Sequence, residues 1–273
     1  MCMKYDETQL KQLQKVELDI LIEVIRVCKE NGLNYFTVGG TTLGAIRHNG
    51  FIPWDDDIDI GMMREDYEKF LRIAPLKLSK GFTLQSYSTE PNMPTYFAKV
   101  RKDDTLFVED YARDIQMHQG IYIDIMPYDK IPEDLKERAK YRRKVQFWNQ
   151  LFIAKSITET SVPYTKNKGY KNVLRKGLHV AVSGISKETL YHRLDSELRK
   201  YNQTESTMVS SRGLSAFETS IDDYFPLCDH VFETISVKIP RNADMVLKTQ
   251  YGDYMKLPPE EKRYSHAPVC LKL

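Results

Sequence analysis

Four aspartates stand within five residues, in the segment 55–59. A strand is predicted by the alternation Asp57-Ile58-Asp59-Ile60, with both carboxylates on one face and both isoleucines on the other. Asp59 lies inside an apolar pattern, where a buried unpaired charge is costly, so we expect a cationic partner. Carboxylate oxygens suit Mg²⁺ or Mn²⁺. A solvated turn ahead of the strand is the alternative for the aspartates at 55–57.

A second alternating segment, Gly120–Met126, repeats this anomaly. It places Tyr122 and Asp124 on one strand face and three isoleucines on the other. If the two strands are neighbours, Asp124 could complete the metal site or accept the proton of an attacking hydroxyl. The alternative is an aspartate near a strand end that caps a loop.

A glycine turn precedes the aspartates. The short apolar strand 35–38 ends at Gly39-Gly40, and Thr41 is predicted to cap a helix that runs to about His48. Amides at a helix start, together with the helix dipole, favour an anionic phosphate. Arg47 and His48, near the end of this helix, could reach the same phosphates, although a surface position is nearly as good for His48.

Three further cationic residues are candidates for binding an anion. Lys99 and Arg101 alternate on a predicted strand, where they form either a phosphate clamp or an ordinary wet strand face. His266 lies in a loop near the C-terminus, and sequence spacing gives it no partner.

Periodicity predicts the remaining elements. A first helix should start with a capping box at Asp6 and end at Asn31-Gly32, and a later helix should run from Arg64 to Ile73 and be broken by Pro75. Strands are expected near 82–87, 96–101, 105–108 and 231–240, and helices over 132–157, 186–202 and 243–251. Residues 158–185 are interpreted as a linker or a helical insertion.

Composition limits the protein class. The chain has 273 residues, 29% of them charged, and a net charge of +2, which is typical of a globular protein and does not favour nucleic-acid binding. The four cysteines lie far apart, and no apolar run reaches the length of a bilayer span, so we predict a cytoplasmic protein. Segment 136–176 is exceptional, with twelve Lys or Arg against two acids. A solvated helix that packs its aromatics on the core is favoured there over contact with an anionic membrane surface.

The segments 38–48 and 50–62 together resemble the LicD family. These bacterial phosphocholine transferases decorate teichoic acid or lipopolysaccharide and are similar to the fukutin-related ribitol-phosphate transferases. The resemblance extends over 66–70, 99–101, 120–125 and the ending 251–266, whereas 136–230 adds nothing to it.

The resemblance implies a nucleotidyltransferase-like α/β (α+β) fold, in which a mixed sheet is flanked by helices. We expect a catalytic core over 1–130, a basic helical segment over 131–205 that faces the acceptor or the membrane, and a C-terminal part over 206–273 that completes the active site. The family template places metal on Asp57, Asp59 and Asp124, although Asp55 and Asp56 could share or replace a metal role.

The implied reaction transfers phosphocholine from CDP-choline to a hydroxyl of a glycan precursor and releases CMP. The acceptor could be lipid-linked at the inner membrane surface, and Tyr122 and Tyr128 are candidates for an aromatic cage around choline. Another CDP-alcohol, such as CDP-ribitol or CDP-glycerol, is an open alternative. A metal-dependent glycosyltransferase normally has a longer nucleotide-binding half than the 56 residues ahead of Asp57, and a non-catalytic scaffold is the last alternative. The substrate-binding residues implied are Gly39, Gly40, Thr41, Arg47, His48, Lys99, Arg101, Tyr122 and His266.

Overall fold

The structure is a computed structural model that describes residues 6–157, 168–213, 217–263, 265–266 and 268–273, without the side chains of 168–172. The helices are α1 (Glu7–Glu30), α2 (Gly39–His48), α3 (Arg64–Lys77), α4 (Leu135–Ser156), α5 (Lys168–Ala181), α6 (Lys187–Arg199), α7 (Ile221–Tyr224) and α8 (Ala243–Tyr251). The strands are β1 (Phe36–Thr37), β2 (Asp59–Met63), β3 (Phe82–Gln85), β4 (Ala98–Lys102), β5 (Leu106–Val108), β6 (Tyr122–Lys130), β7 (Met208–Ser211), β8 (Thr219–Ser220), β9 (Cys228–Phe232), β10 (Ile235–Ile239) and β11 (Cys270–Lys272).

A seven-stranded mixed sheet forms the centre, and its main path runs β1-β2-β6-β4-β3. β2 and β6 are parallel, whereas the other pairs are antiparallel. The first half of β6 pairs with β4, and its second half pairs with β7, which in turn pairs with β8. The predicted mixed sheet flanked by helices is therefore confirmed.

The long helix α1 covers one face of the sheet. It begins with the predicted capping box, in which the Asp6 carboxylate accepts from the amide of Gln9 and the Gln9 side chain accepts from the amide of Asp6. Its apolar stripe packs with α3 and with the isoleucines of β2 and β6 in the largest apolar cluster. The alternation of isoleucine and aspartate therefore buries one side of each strand and leaves the aspartates on the other.

A second apolar cluster joins α4, α6 and the end of α5. Phe152 is fully buried in this cluster, and Trp148 and Leu151 pack against the cluster, so α4 packs these side chains on the core as expected. Phe147, by contrast, is mostly exposed. A buried ion pair between Arg64 and Asp129 lies where the sheet meets these helices.

Several predicted boundaries were wrong. β2 starts at Asp59, so Asp57 lies in the loop ahead of it. α3 continues through Pro75 to Lys77, because a proline in the last turn removes only one backbone donor. α4 starts after Asp134, whose carboxylate caps the amide of Glu137, and not at Pro132.

The predicted linker divides into two parts. Its residues 158–167 lie outside the described residues, and most of its remainder forms α5. Sequence reasoning did not find β7, β8 or β11. The division into three segments stays a prediction, although β7 and β8 do extend the sheet from the C-terminal part.

Candidate functional site

Three charged residues form a row across the sheet. Asp59 on β2 is paired in register with Asp124 on β6, and Asp124 is paired in register with Lys99 on β4. Residues directly opposite each other on neighbouring strands point to the same face. Lys99 Nζ lies 2.6 Å from Asp124 Oδ1, and the Lys99 side chain is only 4% exposed. Asp59 and Asp124 are therefore neighbours, and a buried lysine lies beside Asp124.

The loop ahead of β2 brings more carboxylates to the edge of this row. The backbone amide of His266 donates to Asp56 Oδ1 at 2.7 Å, and His266 Nδ1 lies 3.1 Å from the same oxygen and 3.5 Å from Asp57 Oδ2. Asp55, Asp57 and His266 each offer one ligand atom within 4.8 Å of the others. We call residues 55, 57, 59, 124 and 266 the acidic site.

Burial and mutual repulsion perturb these carboxyl groups. Burial and the neighbouring Asp56 raise the pKa of Asp55 to about 6, and burial and Asp55 raise the pKa of Asp57 to about 8. The pKa of Asp59 is raised well above its usual value by burial and by the charges of Asp57 and Asp124. Hydrogen bonding to Asp56 raises the pKa of His266 to about 10. The acidic site therefore contains more negative charge than its surroundings neutralise.

The predicted glycine turn lies against the acidic site. Gly39 has a left-handed φ of +54°, and a Cβ there would lie 3.7 Å from Asp59 Oδ2. A Cβ on Gly40 would lie only 2.8 Å from Asp55 Oδ2, so a larger residue would displace that carboxylate. The predicted cap was wrong, because α2 starts at Gly39, and the Thr41 hydroxyl instead accepts from the amide of Asp59 at 2.8 Å.

Lys99 and Arg101 do not form a wet strand face, since both are buried. Arg101 is 1% exposed, and its Nε and Nη1 donate to Gln85 Oε1 and to the carbonyl of Gly120, so two of its nitrogens are already bonded within the protein. Lys99 Nζ lies 3.4 Å from the centre of the Tyr122 ring, and the Arg101 guanidinium lies 4.7 Å from it. Cations of the protein thus already contact the ring proposed for choline. Tyr128 is fully buried in the core.

Arg47 and His48 lie at the opposite end of α2 from the glycine turn. Arg47 donates to the carbonyl of Tyr254 at 2.7 Å and to His48 Nε2 at 2.9 Å. Burial and the charge of Arg47 lower the pKa of His48. Arg47 therefore holds the C-terminal segment, whereas His48 contacts Arg47 and Trp54 and is not brought to the acidic site.

Sequence reasoning missed four residues around the acidic site. A Cβ on Gly39 would lie 3.5 Å from the Tyr251 hydroxyl and 3.8 Å from Phe217 Cε1. The charge of Arg212 lowers the pKa of Asp59, and Arg212 Nε is buried with no hydrogen-bond partner among the described residues. Glu17, on α1, is buried beside the aspartates, which together with burial raise its pKa well above its usual value. An acid within the apolar stripe of α1 was a signal for Glu17; nothing local marked the others.

The residues present fit a divalent cation. Their donors are mostly carboxylate oxygens, which suit Mg²⁺ or Mn²⁺, and the raised pKa values indicate that a positive charge would be stabilising there. His266 as found is a hydrogen-bonded cation and would have to lose its proton before it could act as a ligand.

A small mixed sheet that carries carboxylates on two parallel strands beside a Gly-Gly turn is the arrangement that the resemblance to the LicD family implied. Comparison with known families agrees with this resemblance. The family described as LicD/FKTN/FKRP, nucleotidyltransferase domain, matches residues 32–158, which include the glycine turn and the four aspartates at 55–59. The resemblance to the LicD family is therefore confirmed.

Individual relatives match over very different lengths. The chain is 29% identical over 270 residues to the lipopolysaccharide cholinephosphotransferase LicD of Haemophilus influenzae, and the match covers 94% of this chain and 95% of that protein. It is 38% identical over 104 residues to the uncharacterized protein RP689 of Rickettsia prowazekii, which covers 38% of this chain and 35% of that protein. The human ribitol 5-phosphate transferase FKRP is 46% identical over 43 residues, only 16% of this chain and 9% of that protein.

Proposed function

We propose that this protein is a metal-dependent transferase that moves phosphocholine from CDP-choline to a hydroxyl of a cell-surface glycan precursor and releases CMP. The observation that carries the proposal is the near full-length similarity to a cholinephosphotransferase, together with the acidic site at the edge of the sheet. The precursor of a teichoic acid or of a lipopolysaccharide sugar is the proposed acceptor. The proposed location is the cytoplasm, and residues 1–130 with 206–273 are proposed to form the catalytic core.

The donor diphosphate is proposed to bind between the glycine turn and the acidic site. Asp57, with Asp55 and Asp59, would hold Mg²⁺ or Mn²⁺, which when bound neutralises charge on the diphosphate and on the leaving CMP. The family template used Asp57, Asp59 and Asp124 as metal ligands, and this assignment replaces Asp124 by Asp55. Asp55 is chosen because its ligand atom lies within 4.8 Å of those of Asp57 and His266. Asp124 is proposed mainly for another role, since its carboxylate is already paired with Lys99.

Asp124 is proposed as the group that takes the proton of the acceptor hydroxyl. The hydroxyl oxygen attacks the phosphorus that bears choline, the bond from that phosphorus to the bridging oxygen breaks, and CMP leaves with the electron pair. Lys99 holds Asp124 in place through its 2.6 Å contact and adds positive charge beside the reacting phosphate. This role is supported by the register that places Asp124 directly beside Asp59.

Arg212 is proposed to bind a phosphate oxygen of the donor. Its guanidinium lies 4.8 Å from the Phe97 ring and lowers the pKa of Asp59, and a buried Nε without a partner is costly unless a ligand accepts from it. Tyr251 and Phe217 lie beside Gly39 and are better placed for choline or for cytosine than Tyr122, whose ring already has cations against it. Among the residues implied by the resemblance, His48 and Arg101 are the least supported.

One other donor has a specific observation in its favour. The chain is also similar over 43 residues to a ribitol 5-phosphate transferase, so CDP-ribitol is the second candidate, with CDP-glycerol in the same class. A metal-dependent glycosyltransferase and a non-catalytic scaffold have no comparable support.

Thermal unfolding with candidate donors tests the proposal. CDP-choline, CDP-ribitol and a UDP-sugar are each added with Mg²⁺ or with EDTA, and a ligand at a hundredfold excess over its Kd should stabilise by about 2.7 kcal/mol. We expect a Mg²⁺-dependent shift with CDP-choline that is lost in Asp59→Asn and kept in Asp19→Asn, an exposed position on α1. A shift only with CDP-ribitol would replace the donor, and a shift with none would contradict the proposal.

A further inference from the structure

Helix α5 turns its apolar face away from the protein. Val173 is 71% exposed, Leu174 is 62% exposed and Val180 is 70% exposed. Residues 173, 177 and 180 follow a helical spacing of four and three, so Val173, Gly177 and Val180 lie on one stripe with Leu174 at its border. Apolar residues normally face the core in an amphipathic helix, and here they do not.

Contacts on the opposite side of α5 show that this orientation is specific. His179 Nδ1 lies 2.8 Å from the carbonyl of Ala154, Arg175 reaches Gln150, and Val182 at the helix end is buried in the second apolar cluster. The polar side of the helix therefore packs against α4. Among the described residues, nothing covers the stripe of Val173, Leu174 and Val180, which we call the outer apolar stripe.

The chain around α4 and α5 is strongly basic. Segment 136–176 carries twelve Lys or Arg and only two acidic residues, Glu137 and Glu159. Lys136, Lys140, Arg143 and Lys144 are exposed on α4, the helix against which α5 packs. An apolar stripe beside a field of positive charge complements an anionic surface that has an apolar layer beneath it.

We propose that α5 binds an anionic lipid surface, with the outer apolar stripe at the boundary between headgroups and acyl chains and the exposed basic residues of α4 on the headgroups. A lipid surface is favoured over a second copy of the chain, because three aliphatic side chains on one helix fall short of the ~800 Å² per partner that a stable interface buries. An acidic protein partner would use the charges but would leave the aliphatic stripe exposed. The proposal does not depend on the transfer reaction.

Flotation with lipid vesicles tests this surface. The full chain is mixed with vesicles of phosphatidylcholine alone or of phosphatidylcholine with phosphatidylglycerol, and the bound fraction is measured over a range of lipid concentrations. We expect binding to the anionic vesicles only, with affinity that falls as salt is raised. The double variant V173D/L174D should bind at least about tenfold more weakly, because two charges replace the side chains that enter the interface.

Two further variants make the result specific. Leu76→Asp replaces a leucine that is 84% exposed on α3, outside the stripe, and should bind vesicles as the unchanged protein does. The triple variant K140Q/R143Q/K144Q should lose affinity for anionic vesicles while keeping its melting temperature. Absence of vesicle binding, or equal binding by V173D/L174D, would overturn the proposal. So would a dimer in solution that V173D/L174D dissociates, since the stripe would then be an interface between two copies.

Discussion

Replacing Asp57 by asparagine should stabilise the metal-free protein and abolish its activity. The folded protein raises the pKa of Asp57 from 3.8 to about 8, so at neutral pH folding forces this carboxyl group to take up a proton. At 1.36 kcal/mol per pKa unit, the penalty at pH 7 is about 4 kcal/mol at most. The asparagine side chain would avoid this cost but would weaken the contact with His266, so we expect a net gain of about 1–3 kcal/mol.

The direction of the pH dependence follows from the raised pKa. Between the unfolded and the folded pKa, the folded state binds more protons, so the metal-free protein should lose stability as the pH rises from about 4 to about 8. Urea unfolding in EDTA should therefore show a larger gain for Asp57→Asn near pH 8 than near pH 5. Asp19→Asn, on the exposed side of α1, should change neither value. A variant that is less stable than the unchanged protein near pH 8 would refute the reasoning.

Three further predictions concern the glycine turn, the core and the cation. Gly40→Ala would put a methyl group 2.8 Å from Asp55 Oδ2 and should weaken Mg²⁺-dependent donor binding at least about tenfold in calorimetry. Gly184→Ala, which has open space around it, should bind the donor as the unchanged protein does. Equal affinities of the two variants would contradict this prediction. Asp129→Ala would remove the carboxylate that accepts from two nitrogens of the buried Arg64, which would keep only its longer carboxylate contacts, with Glu68 and Asp195, and should cost about 3–5 kcal/mol in urea unfolding. A loss below about 1 kcal/mol would show that the pair is dispensable. Stabilisation by Mg²⁺ should grow between about pH 6 and pH 8, because the cation must displace protons from carboxyl groups whose pKa values are raised. A rise in melting temperature with Mg²⁺ that becomes smaller over this pH range would contradict this prediction.

Features that depend on a few neighbouring residues could be predicted from the sequence. The capping box of α1 rests on contacts within one helical turn. The alternation of aspartate and isoleucine identified Asp59 and Asp124 because the penalty for a buried charge is the same in any fold. The sequence did not show that β2 and β6 are neighbours, so the pairing of the two aspartates was an assumption of that prediction.

Features that depend on distant residues could not be predicted. The contact of His266 with Asp56 joins residues 210 positions apart, and no local pattern encodes it. Arg212 reaches Asp59 only because β7 pairs with the second half of β6. The sequence of 158–185 indicated only a linker or a helical insertion, and the side of α5 that packs on α4 is decided by tertiary contacts such as that of His179.

Anomalous diffraction from crystals grown with Mn²⁺ and CDP-choline would test the central claim most directly. We expect one or two anomalous peaks within bonding distance of Asp57, with the donor diphosphate next to the peak and against the Gly39-Gly40 turn. Asp59→Asn crystals grown in the same way should lose the donor or lower its occupancy. A donor bound away from the carboxylates at 55–59, or Mn²⁺ bound only elsewhere, would contradict the account.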